Sequence, residues 1–203
     1  MHQFCVYVSR ETYIKIIDPL EEKMRQSISA PTSNYQDSGE GSTSPEAKDV
    51  RNAIAFDDLE MRTTLGRGSF GRVKLVVHKT TGETYALKIL QKSEVVAFGQ
   101  ENNIMNEKRV LQSVNHPFIL KLYSTYKDGD RLYMLLELVQ GGELYTRLQS
   151  DETQGRVPVK DARFYAACSV DALGYLHSKS IVYRDLKPEN LLIDGDGYIK
   201  VSE

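Results

Sequence analysis

Glycines at three positions, Gly66, Gly68 and Gly71, follow the spacing G-x-G-x-x-G. Glycine adds no side chain, so a hairpin with this spacing lets its backbone lie close against phosphate oxygens. The dinucleotide-binding form of the motif requires a helix to begin at the third glycine, whereas residues 72–77, RVKLVV, continue as strand. A phosphate-covering hairpin is therefore one interpretation, and a glycine-rich hairpin without a ligand is the other.

A lysine, Lys88, interrupts the apolar run of the next strand-like segment, YALKIL. Burying an ammonium group among apolar side chains costs free energy unless anionic groups surround it. Phosphate would supply such groups, and Glu107 in the following helical segment is the carboxylate that we expect to pair with Lys88. Taken singly, Lys88 would more often face solvent on a half-buried strand, and Glu107 would be a solvated helix residue.

A third segment, residues 182–192 (VYRDLKPENLL), carries Asp185 and Asn190 at the spacing of a phosphotransfer loop. With the glycine-rich turn and the lysine strand before it, this segment resembles the protein kinase superfamily. Tyr183 stands in place of the commoner histidine. Together with NEKRVLQ, HPFILKLY, GGELY and ARFYAA, it is similar to the AGC group of serine/threonine kinases, and within that group the cyclic-nucleotide-dependent kinases are the most similar.

The resemblance implies a role for each matching residue. Asp185 would accept the proton of the substrate hydroxyl, Lys187 would steady the transferring phosphate, and Asn190 would hold one Mg²⁺ ion. Lys88, paired with Glu107, would hold the phosphates of ATP. The residues expected to bind ATP, through the glycine-rich turn, the adenine walls, the hinge and the ribose, are Leu65, Gly66, Gly68, Ser69, Phe70, Gly71, Val73, Ala86, Lys88, Glu137, Val139, Glu143 and Leu192.

Through two carboxylates, the resemblance also implies protein substrates with basic residues upstream of the phosphorylated serine or threonine. Glu143 follows the double glycine and Glu189 lies in the catalytic loop, and both suit an arginine side chain. The formal net charge of -2 gives no reason to expect nucleic acid as a partner. Cyclic nucleotide would bind only through regions outside this chain, because no phosphate-binding cassette is present.

The resemblance breaks at the second metal ligand. Protein kinases place the aspartate of D-F-G just after a strand, and this sequence has Glu203 after residues 198–202, YIKVS. A glutamate still offers a carboxylate, but its extra methylene moves that group, and misplacement by about 1 Å can cost roughly a hundredfold in rate. We expect an ATP-dependent serine/threonine kinase, with a catalytically inactive truncated homologue that binds nucleotide or partners as the alternative.

A fold of the α+β class must position these residues. Residues 56–90 offer β-rich stretches broken by glycine-rich turns, and residues 118–127 and 131–139 are two further strands around the turn DGD. Helical patterns cover a stretch closed by Pro117 and residues 160–178. The sequence predicts a protein-kinase-like fold with a complete β-rich N-lobe and only the first part of the helical C-lobe.

The predicted kinase domain covers residues 53–203 and follows two other segments. Residues 1–26 alternate like a strand and then take helical spacing, which resembles the C-terminal end of a cyclic-nucleotide-binding domain; an amphipathic N-terminal helix is the alternative. Residues 27–52 are rich in Ser, Thr, Pro and Gly, with too few large aliphatic residues to offset the entropy of ordering. We predict a disordered linker there.

Composition and cysteine content indicate the cellular compartment in which the protein is expected. The 203 residues are 40% hydrophobic, enough for a sizeable core, and Cys5 and Cys168 suggest neither a disulfide framework nor a metal cluster. No apolar run reaches the roughly 18 to 20 residues of a membrane span, and the N-terminal residues lack the pattern of a signal peptide. The expected location is the cytoplasm.

Overall fold

The computed structural model describes residues 54–68, 70–150 and 156–202. Ser69 and Glu203, two of the predicted site residues, lie outside these ranges, as do the predicted domain remnant and the predicted linker. Within the described residues, a five-stranded antiparallel sheet is followed by helices and a two-stranded sheet. The predicted α+β class, with a β-rich N-lobe ahead of helical segments, is confirmed.

Two sheets and four helices make up the described residues. The strands are β1 (Leu59–Gly68), β2 (Gly71–His78), β3 (Thr84–Gln91), β4 (Leu122–Lys127), β5 (Arg131–Glu137), β6 (Leu191–Ile193) and β7 (Ile199–Val201). The helices are α1 (Lys92–Ala97), α2 (Glu101–Ser113), α3 (Leu144–Leu148) and α4 (Val159–Ser178), with 3₁₀ turns at Phe56–Asp58 and Pro188–Asn190. The larger sheet has the order β1-β2-β3-β5-β4, and β6 pairs with β7.

The central strand β3 sends its side chains alternately to two apolar clusters, because successive residues of a strand face opposite sides of the sheet. Leu87 and Ile89 belong to the outer cluster, with Leu59, Val76, Tyr85, Tyr133 and Leu135. Ala86 belongs to the inner cluster, with Leu111, Leu120, Leu122, Met134 and Leu136. Burial on both sides makes β3 a rigid base for Lys88, which shares the inner side with Ala86.

Two helices replace the single helical stretch that was expected before Pro117. Gly99 separates α1 from α2 with a φ of 61°, a left-handed conformation that glycine adopts without strain. The second helix ends at Ser113 rather than at the proline, because Val114 already has extended dihedral angles. Hydrophobic spacing therefore predicts the helical character of this stretch but not the glycine that divides it.

The strand that was expected over residues 118–127 begins only with β4. The residues before it pair with the second sheet: the Leu120 N–H donates to the Val201 carbonyl (2.9 Å), and the Val201 N–H donates to the Phe118 carbonyl (2.8 Å). These partners are distant in sequence, so no local pattern indicates the pairing. The two hydrogen bonds attach β7 to the larger sheet.

Helix α4 matches the predicted helix of residues 160–178 within one residue. Its packed face carries Ala167, Cys168, Ala172 and Leu176, all buried. Burial raises the pKa of the Cys168 thiol to about 11, so this cysteine stays a neutral core residue at physiological pH. Among the described helices, none is long and apolar enough to cross a bilayer.

The loop after α2 is fastened to α4 by polar and aromatic contacts. The Asn115 N–H donates to the Tyr175 hydroxyl (3.0 Å). His116 Nε2 lies 3.2 Å from Asp171 Oδ2, and the His116 ring lies 4.9 Å from the Tyr175 ring, measured between centroids. These contacts tie the C-terminal end of α2, the helix that carries Glu107, to α4.

Replacing Tyr175 by Phe should therefore lower stability. The change keeps the ring but removes the acceptor of the Asn115 N–H, and we expect a loss of about 1 kcal/mol in the free energy of unfolding. Urea denaturation followed by circular dichroism measures it. Tyr145→Phe, at an exposed tyrosine, is the matched control. Equal midpoints for both variants and the wild type would show that the contact is not stabilising.

Candidate active site

A cavity of about 410 Å³ lies between the inner side of the larger sheet and β6. Its lining includes the four predicted apolar wall residues, Leu65, Val73, Ala86 and Leu192. Val73 and Ala86 come from the neighbouring strands β2 and β3, whereas Leu192 comes from the second sheet. Aliphatic side chains from the two sheets thus line one slot, which suits a flat aromatic ring.

Lys88 and Glu107 form an ion pair on the wall of this cavity. Lys88 Nζ lies 3.0 Å from Glu107 Oε1, and the side chains are only 14% and 18% exposed. β3 fixes Lys88 between its strand partners Val73 and Met134, and α2 supplies Glu107. The Glu107 carboxylate thus compensates the charge of the largely buried Lys88 ammonium group.

The glycine-rich turn connects β1 and β2 above Lys88 and lines two adjoining cavities. Gly66 and Gly68 line the larger one, while Phe70 and Gly71 line a smaller one of about 230 Å³. Gly68 and Lys88 line both. The predicted turn residues within the described ranges therefore all border space that adjoins the lysine.

Gly71 is the glycine of this turn that the fold itself requires. A Cβ atom at Gly71 would lie 1.9 Å from the carbonyl oxygen of Ile89, so the turn passes too close to β3 for any side chain. Around Gly66 and Gly68 a Cβ would meet nothing within 4 Å. Two of the three glycines thus leave open space in the cavity, and one permits close backbone packing.

The predicted hinge residues, Glu137 and Val139, both line the larger cavity. The Glu137 carboxylate is engaged elsewhere: Oε1 lies 2.7 Å from Lys200 Nζ, and Oε2 accepts a hydrogen bond from the Lys121 N–H (3.3 Å). This side chain holds β7 to β5, so the hinge offers a ligand its main chain. Within the described part of the chain, the peptide N–H and C=O of Val139 make no backbone hydrogen bond.

The segment after the hinge is joined to β6 by backbone hydrogen bonds. The Gly141 N–H donates to the Ile193 carbonyl (2.7 Å), and the Ile193 N–H donates to the Gly142 carbonyl (2.8 Å). A bridge between Glu143 and Leu192 extends this pairing. The same contacts therefore place Leu192 in the slot and Glu143 at its rim.

The loop before β6 brings together two predicted catalytic residues, Asp185 and Lys187, and the predicted metal ligand Asn190. Asp185 Oδ2 lies 2.8 Å from Lys187 Nζ and accepts a hydrogen bond from Asn190 Nδ2 (2.8 Å). Lys187 in the first place, and Asn190 in addition, hold the pKa of the Asp185 carboxyl below its usual value, while Asp185 raises the pKa of Lys187. The Asp185 carboxylate and the Lys187 ammonium group are therefore both charged at neutral pH. Arg184, directly before Asp185, has a φ of 64°, a left-handed conformation that is rare outside glycine.

Cavity-lining residues that the sequence did not reveal are mostly apolar: Arg67, Leu111, Leu120, Leu136, Leu138, Gly142 and Ser202. Three of the leucines also belong to the inner cluster, so their pattern indicates core. The register of β3 with β5 would have found Leu136, because it pairs with Ala86. Ser202 is held by Asn190, whose carbonyl accepts from the Ser202 N–H (2.9 Å) and hydroxyl (3.1 Å).

Comparison with known proteins identifies the class. The sequence profile of the family described as "Protein kinase domain" matches residues 59–203. The chain therefore belongs to the protein kinase family. The match covers both sheets, the ion pair and the loop of Asp185.

Several curated relatives to which the chain is similar are named as cAMP- or cGMP-dependent protein kinases. The mouse cAMP-dependent protein kinase catalytic subunit PRKX is 41% identical over 186 residues, 92% of this chain and 49% of that protein. A Drosophila melanogaster cGMP-dependent protein kinase, isozyme 2 forms cD5/T2, is 41% identical over 200 residues, 97% of this chain and 20% of that protein. A Caenorhabditis elegans cAMP-dependent protein kinase, catalytic subunit-like, is 46% identical over 154 residues, 76% of this chain and 38% of that protein. The chain thus spans half or less of the length of these relatives.

Substitution of the glycines should separate their roles. Gly71→Ala forces a methyl group against the Ile89 carbonyl, and the resulting backbone shift should lower the free energy of unfolding by about 1–3 kcal/mol. Gly66→Ala enters open space and should change it by less than about 0.5 kcal/mol. Thermal denaturation of both variants measures the difference. Equal losses would contradict the assigned close approach.

Proposed function

We propose that this chain carries the ATP site and catalytic loop of a serine/threonine protein kinase, which transfers the γ-phosphoryl group of ATP to a protein hydroxyl. One arrangement carries the proposal: the Lys88–Glu107 pair, with its 3.0 Å contact, lines the same cavity as Asn190, which hydrogen-bonds Asp185 at 2.8 Å. Membership of the protein kinase family supplies the reaction class.

The residues of the cavity fit ATP. The aliphatic slot between Ala86 and Leu192 would take the adenine ring, and the main chain of Val139 would hydrogen-bond its edge. The open space at Gly66 and Gly68 would let backbone amides approach the phosphates. The Lys88 ammonium would then neutralise phosphate charge while Glu107 keeps it in place.

Magnesium also fits, with part of its ligands coming from ATP. Within the described ranges, no group of three or more His, Cys, Asp or Glu side chains could hold a metal ion. Mg²⁺ prefers oxygen ligands and is commonly held by one or two side chains together with substrate phosphates. The amide oxygen of Asn190 would be one such ligand, and Glu203, outside the described residues, is proposed as the other. Bound Mg²⁺ would neutralise the charge that develops on the phosphates.

Asp185 is proposed to orient the substrate hydroxyl and to accept its proton. The Asp185 side chain is 59% exposed, so a substrate side chain can reach it. The lowered pKa keeps it ionised at neutral pH, and this favours hydrogen bonding to the hydroxyl with late proton transfer. Lys187, 2.8 Å away, would stabilise the transferring phosphoryl group.

Substrates with arginine or lysine before the phosphorylated residue are proposed from two carboxylates. Glu143 and Glu189 both line the larger cavity and are exposed. Exposed carboxylates at the rim would pair with guanidinium groups of a bound peptide. The cytoplasmic location, the domain remnant in residues 1–26 and the linker in residues 27–52 stay predictions.

Asp185→Asn should abolish phosphotransfer without preventing nucleotide binding. The amide cannot accept the proton, and loss of a general base typically costs 10²- to 10⁴-fold in rate. Radiolabelled phosphate transfer to an arginine-containing peptide measures kcat, and calorimetry with ATP and Mg²⁺ measures binding. Asp196→Asn, in an exposed turn, is the matched control. Full activity of Asp185→Asn would refute the assignment, and absence of ATP binding by the wild type would refute the proposed function.

The preference for basic substrates predicts a selective effect of Glu189→Gln. Loss of an exposed charge pair should raise KM for an arginine-containing peptide about two- to fivefold, with less effect at high salt because exposed charges are screened. KM for a peptide without arginine should not change. Glu101→Gln, exposed at the start of α2, serves as control. An equal rise for both peptides would exclude the pairing.

A further inference from the structure

An exposed phenylalanine stands at the end of helix α1. Phe98 is 65% exposed, although burial of such a ring would be favourable. Its ring centroid lies 5.7 Å from that of Phe70, with an angle of 63° between the planes. This edge-to-face arrangement is one that aromatic pairs prefer. Phe70 is the aromatic residue of the glycine-rich turn, so the contact joins that turn to α1.

The backbone at Phe98 is fixed despite its exposure. The Gly99 N–H donates to the Val96 carbonyl (3.0 Å), and the Gln100 N–H donates to the Val95 carbonyl (2.9 Å). With Gly99 in the left-handed conformation, at a φ of 61°, these bonds complete a Schellman motif. The ring of Phe98 therefore projects from a rigid helix end rather than from a loose loop.

Phe70, the partner of Phe98, is held by its own backbone and side-chain contacts. The Gln91 N–H donates to the Phe70 carbonyl (3.0 Å), and the Phe70 side chain packs against the buried cluster of Leu90, Val95 and Ile104. These three residues come from β3, α1 and α2. The contact between the rings thus rests on the junction of the strand that carries Lys88 and the helix that carries Glu107.

Phe70 also forms part of the proposed phosphate site. It lines the smaller cavity together with Gly68, Gly71 and Lys88. Movement of the Phe70 ring away from α1 would widen this cavity beside the lysine. A contact that holds the Phe70 ring against the end of α1 would therefore keep the turn closed over Lys88.

We propose that Phe98 is a positioning residue, and that the Phe70–Phe98 contact is an aromatic latch that holds the glycine-rich turn closed over bound nucleotide. Phe98 lies outside both cavities and would touch no ligand. The inference rests on the proposed function, because it assumes that the larger cavity binds ATP. Through this exposed ring, α1 would control how fast nucleotide leaves.

Release of a fluorescent ADP analogue with Mg²⁺ from the full chain, followed by stopped-flow fluorescence, tests the latch. Phe98→Ala should release the analogue roughly two- to tenfold faster, as expected for the loss of one aromatic contact. Val96→Ala, on the same helix and 60% exposed, should not. Phe70→Ala should accelerate release similarly, and the double variant should be no faster than the faster single variant. Equal rates for Phe98→Ala and Val96→Ala, or multiplying effects of Phe70→Ala and Phe98→Ala, would overturn the proposal.

Hydrogen exchange provides a readout without nucleotide. In Phe98→Ala the Gln91 amide, which donates to Phe70, should exchange roughly two- to tenfold faster because the turn opens more often. The Gln100 amide, which caps α1, should keep its wild-type rate and so exclude unfolding of the helix. An unchanged Gln91 rate would overturn the latch even if the wild type binds nucleotide. A wild type that binds none would refute the proposed function and, with it, a latch over nucleotide, whatever the exchange rates.

Discussion

The ion pair between Lys88 and Glu107 is the interaction on which the site depends. Both charges are largely withdrawn from water, and removing one partner of a buried pair typically costs roughly 3–5 kcal/mol because the other is left uncompensated. Lys88 reaches its position because β3 is central and buried on both sides. Glu107 reaches it because α2 buries Ile104 and Leu111. The pair thus requires the sheet and the helix to assemble together, and it leaves a cation beside the aliphatic slot of the cavity.

The contacts between the two sheets form the rest of the cavity. Phe118 and Leu120 hold β7 by backbone hydrogen bonds, and Gly141 and Gly142 hold β6 in the same way. The Glu137–Lys200 pair, at 2.7 Å, adds a side-chain contact across the same boundary. Because backbone pairing tolerates little displacement, these contacts fix the separation of Leu192 from the strands above it. The loop that carries Asp185 and Asn190 leads into β6, so these contacts also determine where the catalytic loop lies.

Helices and strands were predicted correctly where the sequence pattern is local. They were predicted incorrectly where a partner distant in sequence determines the strand pairing. The apolar run YALKIL and the helical spacing of residues 160–178 both produced the expected elements. The left-handed Gly99 divided the first helical stretch, which hydrophobic spacing does not register. Residues 118–121 have strand-like composition, yet their partner is β7 rather than a neighbour in sequence. Propensity describes the chain alone and carries no information on that partner.

The sequence by itself determined the family, because the glycine spacing, Lys88, Glu107 and the loop from Asp185 to Asn190 occur in one order and each residue type follows from its chemistry. It also predicted which residues would approach phosphate, and the described ones among them line the two cavities. Only the tertiary structure decided that the Glu137 carboxylate holds Lys200 instead of facing a ligand. It alone showed that Gly71 is required by the Ile89 carbonyl, and that Phe98 meets Phe70. Residue type limits what a side chain can do, whereas its partner depends on distances that arise only when remote segments pack.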